Sequence, residues 1–385
     1  MDNKSKIRSG LTALFVICAA VSAYAGDVRV RFYSKYEVKD AVITNTVDKT
    51  DKCILALKNG AVEAVYSNGR RQRSPYMGLF GGRSGYYTVE TSGQSRVIPG
   101  RIEVCIMPGE KGIVLVSSMD MEEYVPVVLS SEMDYALYKP ELAKAFAITI
   151  RTFAAYNNKR HKRYDFCDLT HCEVFKGVPS VKEMWYKPVR ETKGMILCGS
   201  CAKEAVYFSA CCGGITENAG EFSAGKAGSC GLSKPDMLNG QNLCEGHRYF
   251  KWVKYIKITD LEAALVGFVD TDTPVILDMK VSARTASGRV KQLDFTYDSK
   301  GAVKHALLDV NKYLSVFGKQ SGWALFPSKF FEVKKEGDTY MIPGRGHGHG
   351  VGLCLQGAST LAGMGMGYEE ILKFYFPELS LGRNY

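Results

Sequence analysis

The stretch YVPVVLSSEMDYALYKPELAKAFAITIRTFAAY, from Tyr124 to Tyr156, decides the fold prediction for this chain. Its second half carries helix signals. Pro140 and Glu141 suit a first helical turn, because proline's missing N–H costs nothing there and an acidic group meets the positive helix end. Apolar side chains then recur at the helical period, at Leu142, Phe146, Ile150 and Phe153. The sequence therefore predicts a helix over residues 140–157.

Glu132 precedes this helix, on a predicted Ser-Ser turn behind the apolar run from Val125 to Leu129. A carboxylate at such an apolar junction is a candidate acid, because desolvation raises its pKa toward the working range. An ordinary surface glutamate is the alternative on local sequence, and both interpretations stay open at this point.

The length of the chain and its N-terminal residues limit the classes of protein to which it can belong. At 385 residues, with 23% charged and 46% hydrophobic residues, the chain predicts two or three ordinary globular domains. Residues 1–25 have the three parts of a signal peptide: basic residues at Lys4, Lys6 and Arg8, the apolar run Leu11 to Val21, and the cleavage pattern Ala23-Tyr24-Ala25. We therefore expect export to the periplasm or cell envelope, without a transmembrane anchor.

The charge indicates which partners to expect. The formal net charge is +10, and removal of the signal peptide, with three basic residues and one acidic residue, leaves +8. A basic exported protein can meet an anionic envelope polymer or a membrane surface. Long basic runs are absent from the sequence apart from residues 159–163, so no nucleic-acid partner is predicted.

Alternating apolar residues and glycine-rich turns predict a β-rich region over residues 26–114. The predicted strands include Val28–Tyr33, Tyr86–Val89 and Ile102–Ile106. Residues 115–385 mix helix and strand patterns, with the conspicuous motifs at 124–218 and 343–378. An α+β fold is predicted.

Two thiols and two imidazoles follow the predicted helix, at His161, Cys167, His171 and Cys172. Their types and number match a tetrahedral Zn²⁺ site, and a Cys167–Cys172 disulfide is the alternative in an exported protein. We expect structural disulfides among the other clustered cysteines, which are Cys198, Cys201, Cys211, Cys212, Cys230 and Cys244. The mature chain has eleven cysteines, an odd number, so at least one lacks an intrachain disulfide partner.

A second conspicuous stretch, PGRGHGHGVGL, runs from Pro343 to Leu353. A strand-like backbone would point Arg345, His347 and His349 to one face, and the glycines would leave room for a close ligand. The histidines could transfer protons or bind a metal, as in a zinc hydrolase, although no third ligand is evident. A structural glycine-rich turn is the other interpretation.

These motifs resemble the sporulation stage II protein D (SpoIID/LytB) family of peptidoglycan lytic transglycosylases. The matching segments fall in one order over residues 115–378. They are YVPxxxSSEM from Tyr124, AxxxRTFA before Tyr156, YDFCDLTHCEVFKG at 164–177, the predicted strand 205–209 before Gly213-Gly214, RTASGRV at 284–290 and GRGHGHGVGLCLQGA at 344–358.

The resemblance implies an activity. Glu132 would be the single acid/base that cleaves the bond between N-acetylmuramic acid (MurNAc) and N-acetylglucosamine (GlcNAc), leaving a 1,6-anhydroMurNAc end. The resemblance suggests glycan strands stripped of stem peptides as substrates. Substrate contacts are implied for Arg151, Tyr207, Ser209, Arg345, His349 and Gln356, and a structural zinc ion at His161, Cys167, His171 and Cys172.

The chain departs from the family pattern at two positions. Relatives usually have His at the position of Ser209 and often Trp at that of His347. Asp134 lies close to Glu132 and receives no role from the resemblance. The family also includes proteins described as enhancers of a cell-wall amidase, so a non-catalytic wall-binding enhancer, with an amidase as partner, is the alternative function.

Overall fold

The structure is a computed structural model that describes residues 27–80, 85–222 and 230–383. Strands fill the part before residue 120 and helices mix with strands after it, so the predicted α+β class with a β-rich N-terminal part is confirmed. The predicted signal peptide, residues 1–25, lies outside the described residues. Within the described ranges, no helix combines the length and apolar character needed to cross a membrane.

Strands form the N-terminal part in two sheets, and the buried positions alternate as predicted, at Val28, Val30 and Phe32 of the first strand. One sheet has the order β5-β4-β3-β2-β7-β8; in the other, β6, β9, β10 and β1 are neighbours in that order. These strands are β1 Val28–Phe32, β2 Asp40–Asn45, β3 Lys52–Lys58, β4 Ala61–Tyr66, β5 Arg71–Ser74, β6 Tyr76–Phe80, β7 Tyr86–Thr91, β8 Gln94–Pro99, β9 Arg101–Cys105 and β10 Val114–Met119.

A helical layer with short strands follows, and it contains most of the predicted site residues. Its first short strand pairs in parallel with β1 and extends that sheet. The elements are α1 Met121–Glu132, α2 Pro140–Tyr156, β11 Phe166–Cys167, α3 Lys182–Glu191, β12 Met195–Cys198, α4 Ala202–Ala205, β13 Phe208–Ser209, α5 Ala219–Phe222, β14 Met237–Leu238 and β15 Gln241–Asn242.

Residues 252–342 enclose a hydrophobic core of their own, centred on Leu293, Phe295 and Tyr313. Two three-stranded sheets and two helices surround this core. The elements are β16 Trp252–Lys257, α6 Ile258–Leu265, β17 Val275–Arg284, β18 Val290–Ser299, β19 Ala302–Asp309, α7 Val310–Ser321, β20 Lys334–Glu336 and β21 Thr339–Gly344.

The last segment returns to the helical layer. Its first strand, β22 Leu353–Cys354, pairs in parallel with β13, and its last, β23 Ser380–Arg383, pairs with β12. Between them lie α8 Leu355–Gly363 and α9 Tyr368–Tyr375. One large core joins this layer to the N-terminal strands. The predicted division of the chain between residues 114 and 115 stays a prediction.

Helix α2, predicted over residues 140–157, is confirmed and is the central helix of this layer. It contacts α1, α3, α8, α9 and β12, and its residues from Ala145 to Ala155 are all buried. A helix with buried residues on all faces belongs to a core rather than to a surface.

Arg151 on α2 is fully buried and ties four elements together. Its guanidinium donates to both carboxylate oxygens of Glu122 on α1, at 2.9 and 2.8 Å. It also donates to the carbonyl oxygens of Met195 on β12, at 3.0 Å, and Val189 on α3, at 3.4 Å. A buried charge needs such partners, because water cannot reach it.

We expect Arg151→Met to lower the free energy of unfolding by about 3 kcal/mol, because it leaves a partly buried carboxylate and two carbonyl groups without their donor. Arg190→Met is the matched control: its ion pair with Glu183 is exposed, with side-chain exposures of 58% and 72%, and its loss should cost less than about 1 kcal/mol. Urea unfolding of both variants measures the difference. Equal losses would show that the buried pair adds nothing beyond a surface pair.

Candidate functional site

Glu132 is the last residue of α1, not part of a turn, so the predicted Ser-Ser turn is wrong. The reason lies in the two serines: Ser130 and Ser131 donate their hydroxyl hydrogens to the carbonyl oxygen of Val127, at 3.0 and 2.7 Å. Serines that bond back to the preceding turn stay within a helix. The helix therefore continues and presents Glu132 at its C-terminal end.

The Glu132 carboxylate is partly buried and accepts a hydrogen bond from the Val174 N–H, with 2.6 Å between Oε1 and N. Burial raises the pKa of Glu132, while the Val174 N–H and the charge of Lys176 act in the opposite direction. The raised pKa increases the protonated fraction near neutral pH, which is the state that a general acid needs.

Glu132 lines a cleft of about 250 Å³. Two predicted substrate-binding residues, Tyr207 and His349, line the same cleft, so the structure brings these three together. The complete lining is Glu132, Phe153, Arg160, Thr170, His171, Cys172, Tyr207, Phe208, Phe222 and His349. Among these described residues Glu132 is the one carboxylate, and aromatic rings make up much of the wall.

His349 is a neutral group in this cleft. Burial, together with the charges of Arg289 and Lys329, lowers the pKa of His349 to about 4. Its Nδ1 accepts the Val351 N–H at 3.0 Å, so a neutral ring carries its hydrogen on Nε2. Phe222 packs against the ring, with 4.6 Å between centroids. His349 can thus act as a hydrogen-bond donor but not as a cation.

The glycine-rich segment 344–352 is not strand-like, so the predicted common face of Arg345, His347 and His349 is wrong. Positive φ angles explain the difference: they are +79° at Gly346, +93° at Gly348, +79° at Gly350 and +72° at Gly352. A chain with such angles turns repeatedly instead of alternating.

The three side chains of this segment have separate surroundings. Arg345 lines another cleft, of about 610 Å³, and its guanidinium lies 4.8 Å from the centre of the Phe330 ring. The His347 ring lies 4.8 Å from that of Tyr249. Arg345 therefore does not contact the Glu132 cleft.

Arg151 does not face the cleft either, although substrate contact was predicted for it. Its side chain is fully buried and bound to Glu122. Because α2 is buried on all faces, a polar residue in its middle serves the core. Arg151 holds the helix that carries Glu132 without reaching a ligand.

Ser209 and Gln356 are not among the described residues of the cleft wall. The predicted strand 205–209 is shorter than expected, and Ser209 ends β13, buried and paired in register with Cys354. The Gln356 N–H donates to the Ala210 carbonyl oxygen at 3.2 Å. Their substrate contacts stay predictions.

His161, Cys167, His171 and Cys172 come together at one edge of the cleft, with their ligand atoms within 4.8 Å of one another. The sulfur atoms of Cys167 and Cys172 are 3.8 Å apart. The Nε2 atom of His161 lies 3.3 Å from the Cys172 sulfur, and that of His171 lies 3.2 Å from the Cys167 sulfur. Two sulfurs that bind one tetrahedral ion at about 2.3 Å lie about 3.8 Å apart. The group could therefore hold a metal ion.

Sequence reasoning missed a buried pair, Tyr124 and Glu173, whose charges interact with that of Glu132. Glu173 is fully buried, and the Tyr124 hydroxyl donates to its Oε2 at 2.6 Å. The Tyr124 ring stacks on Phe166 and Phe175. Both Tyr124 and Glu173 belong to conspicuous motifs, but nothing in their spacing of 49 residues indicates that they pair.

Two family models match parts of the chain. Residues 109–198, which contain Glu132, α2 and the His/Cys group, match the family model described as SpoIID, stage II sporulation protein. This part of the chain is similar to the SpoIID family. Residues 234–352 match a second model, described as a domain of unknown function (DUF8618).

Relatives of the chain include stage II sporulation protein D of Bacillus subtilis, 28% identical over 283 residues, which are 68% of this chain and 74% of the relative. An uncharacterized protein of Brachyspira hyodysenteriae is 28% identical over 278 residues, 70% of this chain and 68% of that protein. The amidase enhancer of Bacillus subtilis is 30% identical over 131 residues, which are 34% of this chain but 18% of the enhancer.

Proposed function

We propose that this chain is a lytic transglycosylase that cleaves the β-1,4 bond between MurNAc and GlcNAc in peptidoglycan glycan strands, including strands without stem peptides. The observation that supports this proposal is the single carboxylate, Glu132, among the described residues that line the cleft. Hydrolytic glycosidases generally need two carboxylates, one as acid and one as nucleophile or base. A lytic transglycosylase needs one.

In the proposed reaction Glu132 starts protonated, as its raised pKa favours. It transfers its proton to the glycosidic oxygen, and the bond from C1 of MurNAc to this oxygen breaks. The C6 hydroxyl of the same MurNAc then attacks C1, and the Glu132 carboxylate takes up the hydroxyl proton. The products are a new GlcNAc hydroxyl end and a 1,6-anhydroMurNAc end, water is not consumed, and Glu132 regains its proton.

The cleft wall offers the contacts that a sugar chain needs. The rings of Tyr207 and Phe222 form one side, with 4.9 Å between their centroids, and they can cover the apolar faces of sugar rings. His349 lines the cleft as a neutral ring, and Arg160 adds a positive charge at the rim for an acidic group such as the lactyl carboxylate of MurNAc.

The proposed location is the periplasm or cell envelope, where this substrate occurs. The signal-peptide pattern of residues 1–25 supports export, and the net charge of +8 that remains after its removal suits an anionic wall polymer.

We further propose that His161, Cys167, His171 and Cys172 hold a structural zinc ion. Donation from the Cys167 thiol lowers the pKa of Cys172, which favours the thiolate that zinc binds. All four coordination positions would be filled by protein atoms, so the ion would hold the loop beside the cleft and take no part in the reaction.

An amidase-enhancing role is the second candidate, favoured by the match to the amidase enhancer. In that case the chain would bind glycan and stimulate a separate amidase without cutting the glycan itself. Assays of the purified chain with denuded glycan strands, and separately with intact wall plus an amidase, distinguish the two functions.

Glu132→Gln should abolish glycan cleavage, with at least a 100-fold loss of rate, because Gln keeps the shape of the side chain but cannot transfer its proton. Asp134→Asn is the matched control, since this neighbouring carboxylate is not among the described residues of the cleft wall. It accepts the Ala136 N–H, at 3.0 Å, and Asn can accept it too. Release of soluble fragments from purified glycan measures both variants. Undiminished cleavage by Glu132→Gln would remove Glu132 from the mechanism.

The products should end in 1,6-anhydroMurNAc rather than in a reducing sugar, because the described cleft wall offers no second carboxylate to activate water. Mass spectrometry of the released fragments identifies the chemical form of this end by its mass. An end heavier by one water would mean hydrolysis, and borohydride reduction of the same end would confirm it.

Cys172→Ser should lower the zinc content by one ion per chain and lower the temperature of thermal unfolding. Cys53→Ser is the control, because Cys53 is also a buried free thiol but lies in β3, away from the group. Metal analysis of protein purified without a histidine tag, together with a thiol count, checks this. A Cys167–Cys172 disulfide in protein without zinc would contradict the proposed site.

A further inference from the structure

A second group of metal-ligating side chains lies outside the cleft wall. It consists of Cys212, Asp236, Cys244 and Cys354, whose ligand atoms all lie within 4.8 Å of one another. All four residues are completely buried, at 0% exposure. Three segments supply them: the turn after β13, the hairpin around β14 and β15, and strand β22.

The distances within this group suit one ion. The sulfur atoms of Cys212 and Cys244 are 3.7 Å apart, close to the 3.8 Å or so of two thiolates on one tetrahedral zinc ion. The Cys212 sulfur lies 3.1 Å from Oδ2 of Asp236. The Cys354 sulfur lies 3.3 Å from the backbone nitrogen of Cys212, which places it beside the same centre.

Asp236 is oriented by its surroundings as a metal-binding carboxylate would be. The Tyr375 hydroxyl donates to its Oδ1 at 2.7 Å, which leaves Oδ2 toward the thiols. Gly357 packs against the carboxylate so closely that a Cβ atom there would lie 2.7 Å from both oxygens. In metal sites, hydrogen bonds from neighbouring residues to the ligand side chains commonly fix the orientation of those ligands.

Two cationic side chains lie near the four metal-ligating residues. The Arg289 guanidinium, 1% exposed, donates to the carbonyl oxygen of Cys212 at 2.7 Å. The half-buried ammonium group of Lys234 interacts with the charge of Asp236. Three thiolates and a carboxylate exceed the charge of a divalent ion by two, and these two cations offset that excess in a buried site.

A disulfide between Cys212 and Cys244 explains the group less well. The 3.7 Å between Cys212 and Cys244 sulfurs exceeds a covalent S–S bond of about 2.05 Å, whereas Cys201 and Cys230 are bonded in the same structure. A disulfide also gives no role to the buried Asp236 carboxylate. A metal ion accounts for both the thiols and the carboxylate.

We propose that Cys212, Asp236, Cys244 and Cys354 bind one structural zinc ion. The three thiols lose their protons to water on binding, and the ion fills its four positions with protein atoms. It cross-links the hairpin 236–244 to the turn after β13 and to β22, and it joins Cys212 and Cys354, which are 142 positions apart in the chain. The site is independent of the glycan-cleaving function proposed above.

Zinc stoichiometry of the full chain tests this proposal. We compare the wild type, Cys354→Ser, Cys172→Ser in the other group, the double variant, and Cys105→Ser as control, since Cys105 is a buried free thiol in β9. Native mass spectrometry should show one zinc ion fewer in Cys354→Ser than in the wild type, whatever the state of the Cys172 group, and no change in Cys105→Ser. Equal zinc content in Cys354→Ser and the wild type would overturn the proposal.

Two further measurements keep the test valid if Cys354→Ser fails to fold. In the wild type, peptide mapping after alkylation under denaturing conditions should find Cys212, Cys244 and Cys354 as free thiols; a disulfide that includes any of them would overturn the proposal. Tyr375→Phe keeps every ligand but should weaken zinc retention against a chelator by about 10-fold. The same chelator competition is run on Asp236→Asn. If both variants retain zinc as well as the wild type does, Asp236 is excluded from the site.

Discussion

The buried ion pair between Arg151 and Glu122 is the contact on which the arrangement of the helical layer depends. A fully buried guanidinium needs hydrogen-bond partners. The Arg151 side chain therefore requires the Glu122 carboxylate of α1 and the carbonyl groups of Met195 and Val189 within hydrogen-bond distance. The pair thereby sets the position of α1 against α2. Since Glu132 ends α1, the same interaction also decides where the carboxylate meets the Val174 N–H and the cleft.

Patterns within one element were predictable, and contacts between elements were not. Periodicity found α2, and alternation found β1, β7 and β9, because each buries a single repeated pattern. Glu132 was found through its apolar neighbours. The helix that carries it was not, because Pro126 and the two serines are typical of a break. Packing against α2 and α3, together with the serine hydrogen bonds to Val127, stabilises α1 around them.

The cysteines show the same division between sequence and tertiary structure. Their clustering predicted cross-links, and Cys201–Cys230 is one. The grouping of Cys212, Cys244 and Cys354 around Asp236 could not be predicted, because the aspartate lies 24 residues from Cys212 and in a hairpin of its own. The group at Cys167 and Cys172 was visible because its four members lie within twelve residues.

The conformation of the glycine-rich segment 344–352 bears on how proteins of this type can diversify. At Gly350 and Gly352 a positive φ combines with neighbours that leave no room for a Cβ atom, Arg289 and Tyr207 respectively. Random mutagenesis followed by selection for folded protein should leave both glycines unchanged. This steric limit does not apply to the three large polar side chains of the segment. Because Arg345, His347 and His349 lie in separate surroundings, each can change without disturbing the other two.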